Sequence, residues 1–173
     1  MLTRRLLLTS TIFFTLFILQ ESLFSQIRLP LGGFSLFLIF TICWSALSTP
    51  EVGAITGFGA GLLLDLAPAN DGPIGQWTLV LIVIGYGIAF LRYGDDSLRG
   101  NPFSLVVLVA VGVVVTLGIY LITGALLGLD LGTGFQLMKI LVGNGIWTLV
   151  VAPFLLPLIS RLHRAIFETR ETL

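Results

Sequence analysis

Charge is scarce in this sequence. Lys, Arg, Asp and Glu supply 10% of its 173 residues, where a soluble domain carries about a quarter, and hydrophobic residues supply 56%. A soluble fold of this length could not hide so much apolar surface, so the composition points to an integral membrane protein. The net charge is zero, which leaves no basic face to recruit nucleic acid. Cysteine occurs once, as Cys43, which excludes an internal disulfide and any cysteine-built metal site. Histidine also occurs once. His163 stands between Arg161 and Arg164, and a histidine metal site lacks its second ligand. No cofactor is expected. Long polar stretches are missing too. The longest loop, Arg92 to Pro102, is too short to bury a core, so residues 1–173 read as a single transmembrane domain.

What is present is a succession of apolar runs. Met1 to Gln26 has basic residues followed by an apolar run, like a signal peptide. The run is too long, and no small-x-small cleavage site follows, so it is expected to be a retained first span. A helix needs roughly 20 apolar residues to cross a bilayer. On that measure the expected spans are 6–24, 31–47, 50–66, 74–91, 103–129 and 135–160, giving an all-α, compact bundle of six transmembrane helices. The second and third are short and joined by Ser48-Thr49-Pro50-Glu51. Proline suits the first turn of a helix, Ser48 or Thr49 can cap it, and Glu51 favours its positive end. These two spans therefore read as a helical hairpin. Six spans place both termini on one side, with Arg4, Arg5, Arg92, Arg99, Arg161, Arg164 and Arg170; the other side has Arg28 and Lys139. Basic residues stay inside, so the termini are expected in the cytoplasm, with loops 26–30, 67–73 and 130–134 outward.

No catalytic constellation emerges. Intramembrane proteolysis needs a serine–histidine pair or paired aspartates within spans. The one histidine is in the tail, and Asp65 has no aspartate partner in another span. Arg92, Asp95, Asp96 and Arg99 read as a solvated turn carrying topology charges. The mid-membrane polar groups are Asn144, Thr116 and Thr148, and Asn144 is expected to donate a hydrogen bond between helices. The absence of midplane charge argues against an ion- or proton-coupled channel or transporter. Pro153 and Pro157 lie on one face of the last span and are expected to bend it.

The most informative stretch is Gly57-Phe58-Gly59-Ala60-Gly61-Leu62-Leu63-Leu64-Asp65-Leu66. Gly53, Gly57, Gly61 and Asp65 are each four apart, so they share one helix face. Such a glycine groove either packs against another helix of the same chain or receives a partner's helix. Counted from Pro50, Asp65 lies about 22 Å along the helix, near the outer edge of the hydrocarbon. Glu21 and Lys139 reach a similar depth. An outer-rim cluster of Glu21, Asp65 and Lys139 is one expectation, with Lys139 paired to Asp65; independent snorkelling of each is the other.

With Gly75 entering the next span, and Gly85-Tyr86 along it, this stretch resembles the hallmark of the rod-shape-determining membrane protein MreD family. The residues that carry the resemblance are Gly57, Gly61, Leu62, Asp65, Gly75, Gly85 and Tyr86, with Ile74 where leucine is commoner. The resemblance implies a non-enzymatic scaffold of the machinery for lateral peptidoglycan synthesis. It implies association with MreC, and through it with RodA, a class B penicillin-binding protein and cytoplasmic MreB filaments, in contact with membrane lipid. It also implies a helix arrangement similar to the substrate-binding subunits of energy-coupling-factor transporters. The groove of Gly53, Gly57, Gly61 and Asp65, or the adjoining surface of spans one and six, is then the expected dock for the MreC helix. The alternative is a substrate-binding membrane subunit of a vitamin or metal transporter, with Asp65, Asn70, Asp71, Gln76 and Trp77 lining an outward pocket. Against it, residues 6–24 contain no alanine, where the coupling helix of such subunits carries an alanine pair.

Overall fold

The computed structural model describes residues 2–22, 33–68, 70, 72–94, 102–129 and 132–167. Among the described residues the regular structure is entirely helical. The helices are α1 (Leu2–Ser22), α2 (Leu36–Leu47), α3 (Pro50–Asp65), α4 (Gln76–Gly94), α5 (Pro102–Leu126) and α6 (Gly134–Phe167). Three of them, α4, α5 from Phe103, and α6, are long and apolar enough to cross a membrane. Leu7–Ser22 and α2 are shorter apolar helices.

The shortest of the described helices is the centre of the fold. α2 packs against all five others, and each residue from Leu36 to Ala46 is buried. An apolar run broken only by Thr41 and Ser45 suits a helix buried on every side. At 12 residues it is about 18 Å long, well short of the roughly 30 Å hydrocarbon thickness. The expected span 31–47 is shortened at its start because the described helix begins at Leu36. Gly33 has φ of 73° and Ser35 is extended, with its hydroxyl oxygen accepting from Leu38 N at 3.2 Å. A second acceptor comes from α1: Gln20 Oε1 receives Leu36 N at 2.9 Å and Phe37 N at 3.4 Å. Four N–H groups at a helix start have no partner in their own helix, and these two side chains take three of them.

Aromatic rings hold α1 and the end of α6 to this centre. Phe13 meets Phe37, Phe40 and Trp44 edge-on at 5.9, 5.1 and 5.8 Å, the geometry that aromatic quadrupoles favour. Trp44 also meets His163 at 5.0 Å and Phe167 at 6.3 Å.

The ends of the other helices follow local chemistry. α3 starts with Pro50 at the expected position, but Thr49 makes no side-chain capping bond. Ser48 does not cap it either, since its hydroxyl donates back to Trp44 O at 2.8 Å. α5 stops at Leu126, three residues before the expected limit. Gly128 there has φ of 82°, and Gly128 N donates to Ala125 O and Leu129 N to Gly124 O, a Schellman closure. α6 runs unbroken through Pro153 and Pro157 and continues past residue 160 to Phe167, so His163 is helical.

Candidate functional site

The glycine stripe of α3 is covered by α4 of the same chain. α3 and α4 run antiparallel as the most intimately packed pair in the molecule. A Cβ placed on Gly53 would come within 2.5 Å of Gly85 O, and one on Gly85 would come equally close to Gly53 O. A Cβ on Gly57 would overlap Leu81 O, and one on Gly61 would overlap Thr78 Cα. The two backbones are therefore in direct contact at three successive levels, which glycine alone permits. This corrects the expectation that Gly53, Gly57, Gly61 and Asp65 form an open dock for a partner helix. The groove is real, but its occupant is α4.

Asp65 ends the ladder. Its side chain is buried, 5% exposed, and takes three hydrogen bonds from the first turn of α4. Oδ1 accepts from Trp77 N at 3.0 Å; Oδ2 accepts from Thr78 N at 3.0 Å and from Thr78 Oγ1 at 2.6 Å. The residues before Gln76 are Pro73, Ile74 and Gly75, none of which brings a capping side chain. Asp65 supplies the cap from the preceding helix, and its negative charge faces the positive end of the α4 dipole. Gly75 makes the approach possible through its left-handed φ of 97°. No side chain beside Gln76 in the sequence announces this cap.

The predicted charge cluster is not assembled around Asp65. Lys139 is exposed and forms no ion pair with Asp65, whose carboxylate is satisfied by α4. Glu21, at the end of α1, is not among the partners of Asp65 either. A carboxylate with this many donors needs no counter-charge.

The loop above the joint is tied to α5. Asn70 Nδ2 donates to Asp65 O at 3.3 Å, and Asn70 Oδ1 accepts from Gly72 N at 3.2 Å and from Tyr120 OH at 3.3 Å. Gln76 Nε2 donates to Tyr120 O at 2.7 Å and to Thr123 Oγ1 at 2.9 Å, while its Oε1 is buried and meets no donor. The Trp77 and Tyr120 rings stack at 3.9 Å. Tyr120 and Thr123 had no distinguishing pattern in the sequence. Asp71 lies outside the described residues, so of the expected pocket residues Asp65, Asn70, Gln76 and Trp77 are seen, bonded to one another's backbones and to α5.

The remaining motif residues lie outside the joint. Leu62 is exposed, and Tyr86 is exposed with its ring stacked on Phe90 at 6.1 Å. Asn144 Nδ2 donates to Ile140 O of its own helix at 3.0 Å, rather than between helices as expected. Thr116 likewise bonds Gly112 O within α5. At the opposite end of the bundle, Arg92 Nη1 donates to Ala46 O at 2.6 Å, and Ser48 Oγ lies 3.1 Å from His163 Nε2. The single Ser48 proton goes to Trp44 O, so Nε2 is the donor of that pair. Asp95, Asp96 and Arg99 lie outside the described residues. Among the described residues, no group of His, Cys, Asp and Glu is placed to hold a metal ion. No family model, no curated protein and no solved structure matches the chain.

Proposed function

We propose that this chain is a membrane scaffold of the MreD kind, without enzymatic activity, in the bacterial cell-elongation machinery. It spans the inner membrane six times with both termini in the cytoplasm. It binds MreC, and directly or through MreC it meets RodA, a class B penicillin-binding protein and MreB. The observation that supports this reading is the convergence of the motif on one joint. Gly57, Gly61, Asp65, Gly75 and Gly85 are separated by up to 28 positions in sequence, yet each serves the same α3–α4 contact. Their chemistry is spent on fixing two helices together, which a rigid holder of other membrane proteins requires. With the glycine groove filled, the dock falls to the adjoining surface of α1 and α6. Phe154 and Leu158 on α6 are large apolar residues exposed on that helix. Helix association in membranes proceeds through such surfaces by packing and lipid release.

Affinity purification of the full chain in mild detergent tests the proposal. Co-recovery of MreC with the synthase pair is expected. Recovery of an ATPase with its coupling subunit would replace the scaffold with the transporter subunit.

A further inference from the structure

The face of α3 that turns away from α4 is open. Val52, Thr56, Gly59 and Leu63 on that face, with Phe13 and Phe14 of α1, wall a cavity of about 900 Å³ that reaches Trp44. A Cβ on Gly59 would meet nothing within 4 Å, in contrast to Gly53, Gly57 and Gly61 on the other face. We infer that this groove holds a hydrocarbon chain of a membrane lipid. The inference rests on the reading of the chain as membrane-spanning, and concerns a surface that the scaffold proposal leaves unassigned.

Three observations select a hydrocarbon chain as the occupant. The described lining carries no charged side chain; its side-chain polar groups are hydroxyls, of which Thr11 already donates to Leu7 O at 2.8 Å, and the Trp44 indole N–H, which meets no acceptor among the described residues. The rest of the wall is apolar, and an empty cavity would forfeit dispersion contacts along it. The rim continues into the outer apolar surface, since Phe14 is 54% and Ile55 61% exposed, so the medium at the mouth is lipid. The size also discriminates. A helix about 10 Å across would place only about two turns in this volume, whereas a flexible chain can follow the groove between α1 and α3. The volume lies within the range of roughly 300–1,000 Å³ typical of sites that enclose small apolar ligands.

The test uses the full chain with Trp77→Phe and Trp147→Phe, leaving Trp44 as the reporter. It is reconstituted in phosphatidylcholine vesicles whose acyl chains carry bromine, a short-range quencher of indole fluorescence. Quenching of Trp44 is expected despite its complete burial in the protein. The quenching should be largely lost in Gly59→Leu, whose side chain enters open space, and in Thr56→Leu, which enlarges a residue of the groove wall. Equal quenching in all three proteins, or none in the parent while it floats with the vesicles, would overturn the inference. So would native mass spectrometry of the unaltered chain if the groove-filling substitutions displaced a bound polypeptide rather than a phospholipid. Failure to float with vesicles would instead overturn the membrane reading itself.

Discussion

A buried carboxylate needs a counter-charge or enough hydrogen bonds to replace its water, and Asp65 takes the second course. Its place at the end of its helix was legible in the sequence, since the expected span 50–66 closes just after it and the helix ends at Asp65. Its partners were not legible, because two of the three donors are backbone N–H groups of a later helix, and no residue type announces them. Lys139 looked like the natural partner by charge alone, yet it stays exposed. Asp65→Asn keeps the shape but turns an NH₂ group toward donors. It should lower unfolding stability in detergent by about 1–3 kcal/mol, the cost of a lost buried bond to a charged group. Lys139→Ala should change it by less than about 0.5 kcal/mol, and the double variant should show the sum of the two. A double variant that lost well under that sum would restore the ion pair.

Two helix starts in this protein take hydrogen bonds from the preceding helix. Asp65 on α3 closes the start of α4, and Gln20 on α1 closes the start of α2. Neither device has a local sequence signature, since a cap is normally sought immediately before the helix it serves. Hydropathy located the apolar runs but not their ends. The apolar run extends to residue 129, but its helix stops at Leu126 because Gly128 adopts a left-handed conformation, and the run ending near 160 continues as helix to Phe167. Gln20→Ala should cost about 1 kcal/mol, the usual value of a lost N-cap, and should speed amide exchange of Leu36 and Phe37 more than that of residues in the middle of α2. Uniform exchange along α2 would show that the Gln20 contact contributes nothing to that helix end.

At the scale of the whole molecule, α2 is the hub and the α3–α4 pair is the most closely fitted part. The all-helical class was legible from composition and runs, as were the three long apolar helices. The centrality of α2 left only a faint trace, an apolar stretch from Leu36 to Leu47 that is too short to cross a bilayer comfortably. Which face of α3 meets its own chain was a matter of three-dimensional register. The glycine spacing fits an internal neighbour and an external one equally well until the backbone of α4 is placed against it. The central claim is that the ladder of Gly53, Gly57 and Gly61 is an internal joint, with the opposite face of α3 free. It is tested most directly by the melting midpoint, in detergent, of Gly57→Ala beside Gly59→Ala. A methyl group on Gly57 has backbone in its way, so its midpoint should fall, by the equivalent of about 1–3 kcal/mol or more. A methyl group on Gly59 meets open space and removes the helix penalty of glycine, so its midpoint should stay level or rise. If Gly57→Ala melts with the parent, or if the two variants shift alike, the joint is not where the structure puts it.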